Sequence, residues 1–343
     1  MSARIVCIHT PVLFDAAVQE AVDHLRRGEV VAVPTETVYG LAANALDPRA
    51  VARIFEVKGR PAHNPVIVHV ASQAMVLECA AEWPPLAESL ARAFWPGPLT
   101  LVLPRGPSVP DIVTAGGNTV AIRWPQHPFM QAIIRRCGFP LAAPSANLSN
   151  RLSPTTAQHV ARQLGDRIPL IVDGGDCNVG IESTVVDVTG RVLCVLRPGM
   201  ISGVALVAAS GIDSIPAESV GAPGDSSGLN RSPGMLAKHY SPKARLLILS
   251  WSDETELEQQ LLKHGVRLDH NIQILAHNHI PMSGRFAHVN VIPHDAEAFA
   301  RGLYGELHRC DDTGAEWIVV EALPNTPEWH GISDRLRRAA VRE

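Results

Sequence analysis

The chain has 343 residues, is 46% hydrophobic and 19% charged, and carries a net charge of −4. That length accommodates two ordinary domains with a sizeable core. Residues 1–205 hold 17 Lys and Arg against 16 Asp and Glu, and the remainder holds 13 against 18, so neither part is a basic nucleic-acid-binding domain. Six cysteines, at 7, 79, 137, 177, 194 and 310, form no C-x-x-C pair, which argues against a disulfide framework or a zinc ribbon and fits a reducing compartment. No apolar run approaches ~18 residues and the first ten residues lack a signal-peptide core, so a cytoplasmic protein with no membrane span is expected.

The first predicted elements are a strand over Arg4–His9 and a helix over Asp15–Arg27. The helix has its apolar face at Ala17, Val18, Ala21, Val22 and Leu25 and is stopped by Gly28. A buried strand over Val30–Val33 ends at Pro34 and empties into Thr35-Glu36-Thr37. Those hydroxyls either cap a following helix or face a ligand at the strand's C-terminal end. A helix over Asp47–Val57 leads into Lys58-Gly59-Arg60-Pro61, read as a stiff exposed loop. Lysine is scarce, four against 26 arginines, and Lys58 stands alone in the first 237 residues. Two cations on one loop are expected either in solvent or as a phosphate clamp, with Arg60 as a planar fork and Lys58 as a point charge.

A strand over Val66–Val70 carries His69, and a helix over Pro84–Ala93 precedes the turn Phe94–Pro98, read as scaffolding. Strands over Leu99–Pro104 and Val120–Trp124 follow, the second holding Arg123. A buried arginine needs an anion, either an internal carboxylate or that of a substrate. The richest stretch is Pro140–Val160. A short strand ends at Pro144 and gives way to Ser145, Asn147, Ser149, Asn150 and Ser153, and a helix is expected to open at Ser153-Pro154-Thr155-Thr156. Small hydroxyls before a helix N-terminus offer a seat for phosphate, and an ordinary polar turn looks the same. Strands over Ile168–Val172, Val185–Val188 and Val192–Leu196 place Ser183 and Arg197 at further junctions, and together these positions suggest one anion-lined cleft.

Residues 206–242 have linker composition but hold Lys238, His239 and Tyr240, which suggests a strap that folds back as a lid. From residue 243 the order is strand Arg245–Leu249, helix Asp253–Lys263, strands Ile272–Ala276 and His288–Ile292, helix Asp295–Arg309, strand Trp317–Val320 and helix Trp329–Ala340. This is the pattern of a small α/β domain with a mostly parallel sheet.

PTETVYGLAANA (34–45), KGRPAHNPVIVHV (58–70), FWPGPLTLVL (94–103), TVAIRWPQHP (119–128), PLAAPSANLSNRLSPTTAQHV (140–160), GIESTVVDV (180–188), LRPG (196–199) and SPGMLAKHYSP (232–242) occur in this order. Together they resemble the YrdC-type threonylcarbamoyl-AMP synthases in their long form. Val66 stands where Leu is expected and Ser241 where Ala is commoner. The resemblance implies an α/β fold: a twisted mixed-sheet YrdC-like domain with a large concave cleft (1–205), a linker or lid (206–242) and a smaller Rossmann-like α/β domain (243–343).

It also implies a nucleotidyltransferase that joins L-threonine, bicarbonate and ATP into threonylcarbamoyl-AMP and pyrophosphate, feeding a downstream tRNA threonylcarbamoyl transferase, with tRNA contacted only indirectly. By the same resemblance Thr37, His69, Arg123, Ala143 and Ser183 hold threonine. Arg60, Asn64, Thr119, Ser145, Asn147, Ser153, Arg197 and Tyr240 hold ATP, and Lys58 and Arg60 act electrostatically with no covalent nucleophile. Magnesium is expected on the phosphates, with no protein side chain as its ligand. Two alternatives compete. A non-catalytic RNA-binding or regulatory module would use the same cleft, which the charge balance disfavours. A hydrogenase-maturation carbamoyltransferase would need acylphosphatase-like and zinc-finger segments that are absent from this sequence.

Overall fold

The structure is a computed structural model that describes residues 2–190, 192–214 and 240–341. Among these, residues 2–149 and 153–214 form one compact unit, and residues 150–152 with 240–341 form a second.

The first unit is built on a twisted mixed sheet of ten strands. They are β1 (Arg4–Cys7), β2 (Val31–Val33), β3 (Gly40–Asn44), β4 (Val68–His69), β5 (Leu99–Pro104), β6 (Thr119–Arg123), β7 (Leu141–Ala142), β8 (Leu170–Asp173), β9 (Thr184–Asp187) and β10 (Cys194–Arg197). Their order is β1-β8-β2-β3-β7-β4-β6-β5-β9-β10. The pairs β1/β8, β2/β8, β4/β6 and β5/β9 are parallel and the others antiparallel. Strand side chains alternate between faces. Val30 and Ala32 therefore enter one core cluster, and Val31 and Val33 enter the other. Helices α1 (Pro11–Arg26), with its buried Ala17, Val18, Ala21, Val22 and Leu25, and α6 (Pro128–Cys137) pack on the second cluster. The first cluster takes α2 (Pro48–Lys58), α3 (Gln73–Cys79), α4 (Pro85–Phe94), α5 (Asp111–Thr114), α7 (Ala157–Leu164) and α8 (Gly203–Ser210). The sequence pattern does not pick out α3, α5, α6 or α8.

Two local expectations are corrected. No helix follows Thr35 and Thr37: Gly40–Asn44 is a strand that returns antiparallel to β2, with Val33 opposite Gly40. Being central and buried on both faces, it reads as a continuous apolar run rather than an alternating one. The helix near residue 154 starts later, because Thr156 is the N-cap and accepts from the His159 N–H. The Pro154 carbonyl instead accepts from Tyr39 N–H, which ties the segment to the β2–β3 connection.

The second unit has a parallel four-stranded sheet, β11 (Arg245–Leu249), β12 (Ile272–Ala276), β13 (His288–Val291) and β14 (Trp317–Glu321), in the order β11-β14-β12-β13. Helices α9 (Glu254–Lys263), α10 (Ala296–Asp312) and α11 (His330–Ala339) complete it. At the end of β14 the Glu321 carboxylate accepts the backbone N–H groups of His277, Asn278 and His279, which fixes the loop leaving β12. Within this unit Tyr240 is buried, its ring 6.1 Å from that of Tyr304 and beneath the Arg335 guanidinium at 5.4 Å. The expected lid, with Lys238 and His239, lies largely on residues 215–239, outside the described residues.

Candidate functional site

The candidate residues meet along a row that crosses the first sheet. In register, Leu141 of β7 faces His69 of β4, His69 faces Arg123 of β6, and Arg123 faces Thr100 of β5. Laterally paired residues share a face, so His69, Arg123 and Thr100 project together. The Thr100 hydroxyl lies 2.7 Å from Ser183 Oγ, just before β9, and Ser183 accepts from Arg197 at the end of β10. The same face carries a small apolar cluster, Ile67, Val102, Ala121, Val185 and Leu196, one step along each strand. The opposite face belongs to the large core, through Val68, Leu99, Leu101, Ile122 and Val186.

Arg123 is held on three sides. Its Nη1 donates to Thr37 Oγ1 at 2.8 Å and its Nε donates to the Gly97 carbonyl at 3.2 Å. Its Nη2 lies 2.7 Å from Glu36 Oε1, yet out of line for a hydrogen bond, and stays without a hydrogen-bond partner. Of the two anions the sequence leaves open for this arginine, the internal carboxylate is therefore present. The Trp-Pro-Gly-Pro turn is more than scaffolding, because it supplies the Gly97 acceptor. Glu36 also accepts from the Gln126 N–H at 3.0 Å. Burial works to raise the Glu36 pKa, but the Arg123 charge and the hydrogen bonds override it, and the carboxylate is held below its ordinary range. His69 is driven the other way: burial first, then Arg123, push its pKa down to about 3. It is therefore a neutral imidazole, with its buried Nδ1 lacking a partner.

A second network surrounds Lys58, which closes α2 instead of standing on a loop. Both Lys58 and Arg60 are buried, contrary to the exposure expected of them. Neutral oxygens make that possible. Lys58 Nζ donates to the Ser145 carbonyl at 2.5 Å, the Asn147 carbonyl at 2.6 Å and Asn147 Oδ1 at 3.2 Å. Burial, then Arg60, push the ammonium pKa well down. Arg60 donates to the Asn64 carbonyl, Asn64 Oδ1 and the Pro65 carbonyl. Asn64 Nδ2 is buried without a partner. Ser145 Oγ donates to Asn147 Oδ1 at 2.5 Å. The Ser149 N–H reaches back to the Lys58 carbonyl and the Ala146 N–H to Tyr39. The Ser/Asn loop is thus pinned from below by the lysine.

The remaining predicted residues fall as follows. Ala143 follows β7, and its N–H donates to the Ile67 carbonyl. Ser153 is buried and donates to Glu182 Oε1 at 2.5 Å. Arg197 donates twice to the Ser183 carbonyl. Thr119 opens β6, roughly 13 Å from Arg123 along the strand. Tyr240 belongs to the second unit, as described. Gly199 lets the Arg197-Pro198 turn press onto β9, since a Cβ there would stand 2.5 Å from the Thr184 nitrogen. The sequence reading passed over Glu36, Thr100 and Glu182 as site residues. An acidic residue in an otherwise uncharged buried strand end is the signal that marks Glu36, because it must be paired.

Comparisons with known proteins show the family of the chain. The Sua5/YciO/YrdC family model, described as "Telomere recombination", matches residues 23–199, and a model described as "Threonylcarbamoyl-AMP synthase, C-terminal domain" matches residues 201–341. The chain is 40% identical to the threonylcarbamoyl-AMP synthase of Bacillus subtilis, across 95% of this chain and 93% of that protein. It is 38% identical to that of Pyrococcus abyssi, across 93% of each. The crystal structure of P. abyssi Sua5 complexed with L-threonine superposes with a TM-score of 0.87 at 36% identity, covering 99% of this chain and 98% of that one. The chain belongs to the Sua5/YciO/YrdC family, in the form that carries the Sua5-type C-terminal domain.

Proposed function

We propose that the chain is a nucleotidyltransferase that makes threonylcarbamoyl-AMP from L-threonine, bicarbonate and ATP. The observation that carries this reading is the buried row His69–Arg123–Thr100–Ser183–Arg197: two fixed guanidinium groups and a neutral imidazole on one sheet face. Such a row suits two anionic partners, a carboxylate and a polyphosphate.

In the proposed reaction the amino nitrogen of threonine bonds to the carbon of bicarbonate-derived CO₂ and loses a proton. A carbamate oxygen then attacks the α-phosphorus of ATP, and the bond to the β-phosphate oxygen breaks to release pyrophosphate. No protein nucleophile takes part. Catalysis comes from orientation and from fixed donors where charge develops. Arg123, with Thr37, His69, Ala143 and Ser183, takes the threonine. Arg60, Asn64, Thr119, Ser145, Asn147, Ser153 and Arg197, all of the first unit, take the nucleotide. Lys58 acts from beneath by holding the 145–147 loop. Magnesium would arrive on the phosphates: Glu36 is paired with Arg123 and Glu182 accepts from Ser153, so the donor set suits a nucleotide-borne ion rather than a carboxylate cage. The product is an activated mixed anhydride, to be consumed by a transferase that modifies tRNA.

Pyrophosphate release from ATP and bicarbonate, with and without L-threonine, tests this reading. Release that requires threonine is expected; ATP turnover indifferent to threonine, or salt-dependent tRNA binding without ATP consumption, would overturn it.

A further inference from the structure

β1 and β8 run parallel, with Cys7 directly opposite Asp173. Opposed residues of a parallel ladder present their side chains on one face, on strands ~4.8 Å apart. β1 ends at Cys7, where the Ile8 N–H donates to the Asp173 carbonyl, and His9 follows in the bend two residues on. Register sets the Cys7 thiol beside the Asp173 carboxylate, and the bend after β1 brings the His9 imidazole to them. Their ligating atoms all lie within 4.8 Å of one another. Asp173 is already oriented, because its Oδ1 accepts the Gly175 N–H at 3.0 Å. Among the described residues Cys7 is the exposed cysteine; Cys79, Cys137, Cys177 and Cys310 are buried and Cys194 is half-buried.

We propose that Cys7, His9 and Asp173 form a three-donor site for a borderline-soft divalent cation, Zn²⁺ by the chemistry of its ligands, with the fourth position left to water. A sulfur, a nitrogen and an oxygen suit zinc and its neighbours and disfavour Mg²⁺, so this site is separate from any nucleotide-borne ion. Tetrahedral bonds of about 2.0–2.3 Å put ligand atoms about 3.3–3.8 Å apart. A small rotation of the exposed Cys7 and His9 side chains closes the present spacing to that. The Asp173–Gly175 contact is the kind of outer hydrogen bond that aims a ligating carboxylate. The turn beyond it also grips Tyr39, whose hydroxyl accepts from Gly174 N–H and donates to the Gly175 carbonyl. A bound cation would brace that turn.

The test is titration of the chelator-stripped full-length chain with Co²⁺ as a spectroscopic probe, without ATP or threonine. About one equivalent should bind with a thiolate-to-cobalt charge-transfer band, and Zn²⁺ should displace it. Cys7→Ser should abolish the band. His9→Ala and Asp173→Asn should each weaken binding at least ~10-fold, the lower end of what loss of even an outer-shell partner does. Asp173→Asn keeps the oxygen that receives Gly175 N–H, and circular dichroism checks that each variant folds. Cobalt binding without the band, a band that survives Cys7→Ser, or no binding at all would overturn the site.

Discussion

Arg123 Nη2 stands 2.7 Å from Glu36 Oε1, yet the two do not share a linear hydrogen bond, and Glu36 Oε2 is buried with no partner. The pair is held by charge rather than by a fork-to-carboxylate grip. A bidentate internal salt bridge would satisfy the arginine and close it to any other anion. The offset pairing neutralises the buried guanidinium while leaving donor capacity for a second carboxylate.

Replacing Arg123 by Ala should weaken threonine binding by about 2–5 kcal/mol, the range for stripping one member from a buried charge pair. Calorimetric titration with threonine reads this directly. ATP affinity should change far less, because the nucleotide is assigned to Arg60 and Arg197. Threonine binding that survives the substitution would remove Arg123 from its assigned role.

Glu36→Gln separates charge from shape. The amide oxygen can still accept from Gln126 N–H, so the fold should persist, while Arg123 loses its counter-charge. The expected result is a threonine KM raised tenfold or more with a smaller change in kcat, since the guanidinium is no longer held in position. If KM for ATP rises equally, Glu36 supports the unit generally and does not position Arg123.

The strands and most long helices could be read from periodicity because they are the elements that segregate apolar side chains to one face. β3 escaped for the opposite reason: Leu41, Ala42 and Ala43 are all buried, so no alternation marks the strand. The exposure expected of Lys58 and Arg60 followed from a sound rule about buried charge. What local sequence could not reveal is that the 145–147 loop, almost ninety residues away, supplies the carbonyls that satisfy the lysine. The same holds for Arg123, whose partners Thr37 and Gly97 come from other strand ends. Residue types at the site were legible; their pairings depend on sheet order, which no motif states.

Lys58→Met keeps the apolar stem and removes the ammonium that three oxygens of Ser145 and Asn147 accept from. Two backbone carbonyls are then left without this donor, and a stability loss of about 2–4 kcal/mol is expected on the scale of unsatisfied buried groups. Denaturant unfolding measures it. ATP affinity should fall as well, because the Ser145–Asn147 loop loses its anchor. Lys58→Arg should not rescue, since a planar fork cannot follow the ammonium's three directions. A fully stable Lys58→Met variant with normal ATP binding would show that the loop holds itself.

His69 gives the fold a pH dependence of defined sign. Its pKa is about 3 when folded, against 6.5 for an ordinary histidine. Between those values the unfolded chain binds a proton that the folded chain refuses, so stability is complete above about pH 6.5 and declines as pH falls toward 3. Between pH 7 and 5 the decline from this one group is about 2 kcal/mol, at 1.36 kcal/mol per pKa unit. Glu36 lies outside this window, because Arg123 overrides burial and holds its pKa below that of an ordinary glutamate, so its contribution is lost only at lower pH. Denaturant unfolding at pH 7 and pH 5 should therefore show the natural chain losing about 2 kcal/mol more than His69→Gln, whose amide does not titrate. Equal losses in the two proteins would mean that the imidazole is protonated in the folded state, and Arg123 would then face a second cation rather than a neutral ring.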